Sequence, residues 1–212
     1  MAKSSNLNTH FPQYETAKEM YERICILTKP GGDFTVRNFV GVVKQMSPVS
    51  SVIVTTDLFS KEVIEHYTRK NLGLEVSSED RELYETEERG GAQGDYSEGM
   101  QKKISNVIKC LQQFPNSKRA VITIPFSSAG SETADFEDKG QTKCVRELHF
   151  YIEDSKLECT GILRMQNANI FPKNIHFIAQ VMTIVAGELG VEVGTYTHWI
   201  TNLCRDRTAQ HC

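Results

Sequence analysis

Four stretches of the chain carry apolar residues at helical spacing, and most of the rest reads as strand or as polar connection. Between Tyr14 and Leu27, the residues Ala17, Met20, Tyr21, Ile24 and Leu27 recur on one helical face, and Lys29-Pro30-Gly31-Gly32 stops the run. Ser60 caps a second helix reaching about Leu72, with Gly73 as its stop. Met100, Ile104, Val107, Ile108 and Leu111 mark a third that ends before Pro115. The fourth holds Ile175, Phe177, Ile178, Val181, Met182, Ile184, Val185 and Leu189 and closes on Gly190. Apolar residues on nearly every side of it predict a buried central helix. His176 on that helix reads as a satisfied core or interface group rather than a ligand.

Strand-like segments fall at Phe34 to Val43, Ser51 to Thr56, Ala120 to Ile124 and Val193 to Ile200. The clearest pair runs from Lys143 to Gln166. Leu148, Phe150 and Ile152 share one face, Asp154-Ser155-Lys156 supplies turn chemistry, and Leu157, Cys159, Gly161 and Leu163 continue as a paired strand. Residues 75–99 are acidic and then glycine-rich, and read as a long loop. Residues 127–143 hold little apolar material and lead straight into Cys144, as a mobile lid over that thiol or as plain disorder. The ends, 1–13 and 205–212, are expected to fray.

No linker of domain-separating character interrupts the 212 residues, so one domain over 1–212 is expected. A formal charge of −3 gives no global attraction to nucleic acid or acidic membranes, so an anionic ligand must be held by a local arginine cluster. No apolar run approaches the roughly 20 residues that span a bilayer, and the N-terminus lacks a signal-peptide core. Six cysteines without a Cys-x-x-Cys pair point to a reducing, cytoplasmic setting.

The hairpin concentrates candidate chemistry. A thiol at its mouth (Cys144), an arginine near its far end (Arg164) and a carboxamide at the start of the next helix (Asn174) combine a nucleophile, an anion clamp and a reader of a heterocycle edge. Lys143 and Arg146 flank the thiol and favour its ionised form.

These residues resemble the thymidylate synthase and pyrimidine hydroxymethylase family. Cys144 stands six residues before Phe150-Tyr151-Ile152, as the family's nucleophile stands before its Phe-Tyr-aliphatic triplet. Leu157-Glu158-Cys159 and Arg164 follow at the family's spacing, Pro172-Lys173-Asn174-Ile175 is similar to its Pro-Phe-Asn-Ile, and Phe114-Pro115-Asn116-Ser117-Lys118-Arg119 is similar to its proline-then-double-arginine turn. The likeness covers roughly residues 98–200.

The resemblance implies an α+β fold of thymidylate synthase type, a large mixed β-sheet packed with helices, in a homodimer. It implies one-carbon transfer, methylation or hydroxymethylation, to carbon 5 of a pyrimidine nucleoside monophosphate. Cys144 would add to carbon 6, and 5,10-methylenetetrahydrofolate would donate the carbon. Arg164, Arg37 from an early strand and Arg119 from the partner subunit would grip phosphate, Asn174 would read the base, and Asn167 stands where a folate-contacting aspartate is usual. A tyrosine-glycine element of the family falls near Tyr96.

Several positions depart from the pattern. Val145 follows the nucleophile, Met165 stands in place of a phosphate-binding serine, and Cys204 and Asp206 stand where a histidine and a tyrosine hold the sugar. The helix after Ser60 lacks the Leu-Leu-Trp-Phe run that carries a catalytic glutamate, and Glu62 and Glu65 read as surface residues. A second reading therefore stands beside the enzyme: a catalytically degenerate relative that binds a nucleotide or a protein partner.

Overall fold

The computed structural model describes residues 10–28, 35–89, 94–124 and 143–205. The expected lid, but for Lys143, therefore lies outside the described residues, as do Asp206, the Lys29–Gly32 stop and the outermost ends.

Among the described residues, five α-helices pack with a mixed seven-stranded sheet, as the α+β expectation requires. In chain order the elements are β1 (Gln13–Tyr14), α1 (Ala17–Leu27), β2 (Thr35–Val43), α2 (Lys61–Asn71), α3 (Ser78–Tyr84), α4 (Met100–Gln113), β3 (Val121–Thr123), β4 (Val145–Glu153), β5 (Lys156–Leu163), β6 (Gln166–Asn167), α5 (Phe171–Leu189) and β7 (Glu192–Cys204). The sheet runs β1-β2-β7-β5-β4-β3, with β6 pairing to β7. β1–β2, β5–β7 and β6–β7 are parallel; β2–β7, β4–β5 and β3–β4 are antiparallel.

Local chemistry sets most boundaries. Thr16 accepts from the Glu19 N–H to start α1, and Ser60 accepts from the Val63 N–H to start α2. Gly190, at φ 66°, closes α5 in the left-handed conformation that a side chain disfavours. The β4–β5 hairpin turns through Asp154 and Ser155, both at positive φ, where short polar side chains are tolerated best.

The core lies between the sheet and α1, α4 and α5. From the sheet it takes Leu148, Phe150, Leu157, Cys159, Leu163, Tyr196 and Ile200. Helix α5 is its centre, with Ile175, Phe177, Ile178, Val181, Met182 and Val185 all buried. A smaller cluster of Phe59, Val63, Ile64 and Tyr67 sits under α2. His176 is satisfied there, its Nδ1 2.7 Å from the Thr68 hydroxyl, and burial pushes its pKa down to about 4.

Four expectations shift. Ser51 to Thr56 is a short 3-10 turn (Val49–Val52) and extended chain, not a strand. Val52 and Val54 point into the main core and Ile53 packs on the smaller cluster, so the alternation reflects passage between two clusters rather than a ladder. Within the expected loop 75–99, Ser77 caps α3. The expected frayed end is already paired at Gln13, and Val42 donates to the Pro12 carbonyl. Arg205 is likewise tied, donating from Nη2 to the Cys25 carbonyl at 3.1 Å.

Cys110, Cys144 and Cys159 are free thiols whereas Cys25 is disulfide-bonded, so the cysteines are not a uniformly reduced set. Among the described residues no helix is long and apolar enough to cross a membrane.

Candidate active site

Cys144 lies one residue before β4, half-buried, at the end of the sheet where β5 finishes. Arg164, the residue after β5, grips this segment twice. Its backbone N–H donates to the Cys144 carbonyl at 3.1 Å, and its Nε donates to the Lys143 carbonyl at 3.2 Å. The guanidinium is thereby fixed beside the thiol rather than left to wander. Burial pushes the Cys144 pKa up, and the charges of Arg164 and Lys173 work against that rise.

The ladder breaks next to the thiol. Val145 pairs with Leu163 and Glu147 with Ile162, leaving Arg146 as an extra residue on β4. Regular alternation from Leu148 would aim Arg146 into the core; with the bulge, Val145 fills the core there instead, at 0% exposure. Arg146 is half-buried within electrostatic reach of Arg164. Burial first, and Arg164 second, lower its pKa. Two guanidinium groups held within electrostatic reach of each other suit a doubly charged anion such as a phosphate monoester.

Arg37 on β2 is exposed and pairs with Asn202 of β7, whose Nδ2 donates to the Arg164 carbonyl at 2.9 Å. Arg37 and Arg164 thus stand two strand spacings apart, about 10 Å, at one end of the sheet. Arg119 does not join them. It precedes β3 and is exposed near Tyr151, roughly 20 Å along β4 from Cys144 by strand rise.

Asn174, in the first turn of α5, is 1% exposed. Its Nδ2 donates to Gln166 Oε1 at 2.9 Å, while its Oδ1 is buried with no hydrogen-bond partner. Asn167 accepts through Oδ1 from the Asn169 N–H at 3.1 Å, capping a short 3-10 turn, so its side chain is partly committed to local structure. Cys204, at the end of β7, is half-buried.

Sequence reasoning gave three neighbours too little weight. Tyr96 is 2% exposed, its hydroxyl accepts from the Val145 N–H at 3.5 Å, and its ring packs on Phe177 at a centroid distance of 5.6 Å. Burial, then the adjacent Cys144, raise its pKa, so it stays a neutral phenol that can donate. Lys173 stands where the family pattern has phenylalanine, and it is 2% exposed. Its Nζ donates to the Arg89 carbonyl at 3.2 Å and lies 4.3 Å from the centre of the Tyr67 ring. Burial pushes its pKa down to about 8, against the pull of Cys144, Glu85 and Asp95. Glu85 is the third. It bonds Lys70 Nζ at 2.5 Å and His66 Nε2 at 3.1 Å, and those bonds outweigh burial to keep its carboxyl below the usual range. Glu62 and Glu65 are exposed on α2, as expected, while His66, Tyr67, Thr68 and Lys70 form its inner face.

Beside the Cys144–Glu147 segment opens a cleft of about 520 Å³ lined by Glu98, Gly99, Lys103, Thr123, Ile124, Arg146 and Glu147. Burial first, then Lys143, lower the Lys103 pKa. The cleft offers an apolar wall at Ile124 and two cations, with Glu98 and Glu147 at its rim.

No family model matches the chain. A protein named thymidylate synthase from Listeria monocytogenes (serotype 4a, strain HCC23) is 28% identical over 99 residues, covering 45% of this chain and 29% of that protein. A putative thymidylate synthase from Methanocaldococcus jannaschii is 30% identical over 104 residues, 49% of this chain and 46% of its own length. The thymidylate synthase of Listeria innocua is 27% identical over 99 residues. The chain spans less than half the length of these relatives, and its likeness to proteins that bear the thymidylate synthase name is distant.

Proposed function

We propose that the protein transfers a one-carbon unit to carbon 5 of a pyrimidine nucleoside monophosphate, with Cys144 as nucleophile. One observation carries the reading: a free thiol, a guanidinium locked to its own peptide segment, a second guanidinium delivered by a strand bulge and a buried lysine meet at one end of the sheet. The distant thymidylate synthase-named relatives support the same chemistry.

Arg164 and Arg146 hold the phosphate, with Arg37 at the same sheet end. Binding of the dianion draws the arginine charge away from Cys144, so Lys173 remains as the cation that favours its thiolate. The thiolate adds to carbon 6 of the ring, and carbon 5 gains nucleophilic character. Tyr96, held as a neutral phenol against the Cys144–Val145 backbone, is positioned to move a proton at carbon 5. Asn174 reads the base edge with its unpaired Oδ1. The cleft walled by Ile124, with Lys103 as its remaining cation, fits a flat heterocycle with an anionic tail, and Asn167 lies on the segment after Arg164. Reduced folate there supplies a carbon at the methylene oxidation level. Arg119 is too far from Cys144 to serve its own chain and acts on a second copy in a homodimer.

A second reading, a non-catalytic nucleotide-binding relative, is favoured by one feature: α2 buries His66, Tyr67 and Lys70, and its glutamates face outward. Tritium release from carbon-5-labelled UMP, dUMP, CMP and dCMP, with and without methylenetetrahydrofolate, separates the two. Release with at least one nucleotide is expected, and Cys144→Ala abolishes it. No exchange with any of the four supports the binding protein, and undiminished exchange in the variant refutes the nucleophile.

A further inference from the structure

Between β6 and the first turn of α5, three amide groups form a chain whose direction is forced. The Asn167 backbone carbonyl can only accept, and it receives Gln166 Nε2 at 2.6 Å. Gln166 must therefore turn Oε1 the other way, and that oxygen accepts from Asn174 Nδ2 at 2.9 Å. Asn174 is left presenting Oδ1 as an acceptor, buried and without a partner. Gln166 is fully buried and Asn174 is 1% exposed, so water does not offer either amide an easy alternative. An isolated asparagine can turn over and exchange its donor and acceptor at little cost; this one cannot without opposing two carbonyl oxygens.

We propose that Gln166 is a specificity-determining positioning residue, locking the Asn174 amide so that the site accepts one of the two pyrimidine edges, uracil or cytosine, and rejects the other. This rests on the proposed nucleotide site. The two bases carry opposite patterns at ring atoms 3 and 4: a donor beside an acceptor in uracil, an acceptor beside a donor in cytosine. An amide reading both atoms must invert to change base. With its orientation fixed from behind, the wrong base brings acceptor against acceptor and donor against donor in a dry pocket, where unmatched polar groups discriminate strongly. The sequence gives no hint of this, because Gln166 enters the site through its contact with an amide eight residues later, across the turn into α5.

The test is equilibrium binding of UMP, dUMP, CMP and dCMP to the full chain, by calorimetry, for the wild type, Gln166→Leu and Gln166→Met. Melting temperatures confirm that the variants fold, and the methionine variant preserves length if leucine perturbs packing. The wild type is expected to prefer one base by at least about tenfold with the sugar held constant. The variants, with Asn174 free to turn over, are expected to bring that ratio below about threefold, mainly by improved binding of the disfavoured nucleotide. That gain is a change that a purely structural role would not produce. Equal affinity for both bases in the wild type, or an unchanged ratio in folded variants, overturns the inference and leaves the nucleotide site standing. Absence of binding to all four overturns the nucleotide site and this inference with it.

Discussion

Replacing Lys173 by methionine should make the protein more stable at neutral pH. The native lysine is 2% exposed and its pKa is pushed from an ordinary 10.5 to about 8. The difference, 10.5 − 8 = 2.5, corresponds to about 3 kcal/mol of cost for keeping the ammonium charged in the folded chain. The sign follows from proton counting. Between pH 8 and pH 10.5 the unfolded chain holds a proton on Lys173 that the folded chain has released, so wild-type stability rises with pH across that window. Below pH 8 both states hold the proton and the full cost applies. Methionine keeps the length and the apolar stem but removes the charge. It also leaves the Arg89 carbonyl without this donor, a loss of about 1 kcal/mol, so the net gain at pH 7 is about 2 kcal/mol. For a chain of this length that is a rise of roughly 4–8 °C in melting temperature. Urea unfolding of both proteins at pH 7.0 and pH 10 measures it: the stability difference should be largest at pH 7.0 and narrow as the pH rises. A variant that is equally or less stable at pH 7.0, or a difference that stays constant with pH, refutes the picture of a lysine charged against its surroundings. The same substitution should slow alkylation of Cys144, because the thiolate loses a nearby cation. Stability gained with reactivity lost is the expected signature of a strained functional group.

Three further outcomes follow from the same geometry. Glu85→Gln should cost about 3 kcal/mol at pH 7 by urea unfolding, since the buried Lys70 would lose its short carboxylate contact and keep Asp95 at 3.9 Å. The folded-state pKa of Glu85 lies below its ordinary 4.5, so wild-type stability from this group is present above pH 4.5 and lost as the pH falls further; the variant should lack that acid dependence. Gly161→Ala should destabilise by about 1–3 kcal/mol in thermal unfolding, because a Cβ there runs into the Tyr196 hydroxyl, which bonds His198 Nδ1 at 2.7 Å. Cys144→Ala should keep the fold while losing both carbon-5 exchange and the pH-dependent alkylation of the site thiol.

The elements that position the site were largely legible in the chain. All-round apolarity placed α5 at the centre, and the alternation around Asp154-Ser155 placed the β4–β5 hairpin, because both patterns record burial directly. Cys144, Arg164 and Asn174 could be singled out by residue type and ordered spacing. Lys173, Glu85 and Gln166 could not be found this way. Charged and amide residues mark exposed faces in most sequences, and Lys70 or Lys173 on an inner face shows nothing in its local pattern to say otherwise. Their burial depends on Glu85 arriving from the segment after α3 and on the Arg89 carbonyl, partners remote in the chain. The bulge at Arg146 was equally hidden, since it is a mismatch between two strands and belongs to neither alone.

That mismatch gives Arg146 a position in the site that the β4–β5 register passes over. A shorter or neutral side chain there would weaken the hold on an anion and leave the pleat in phase. Excising the residue would restore a regular alternation, with Val145 still facing the core opposite Leu163 and the hairpin from Leu148 onward keeping its pairing with β5. The second guanidinium is thus an insertion into an otherwise unbroken strand, and a chain one residue shorter at this point would keep its hairpin in phase while losing that cation from the thiol's end of the sheet.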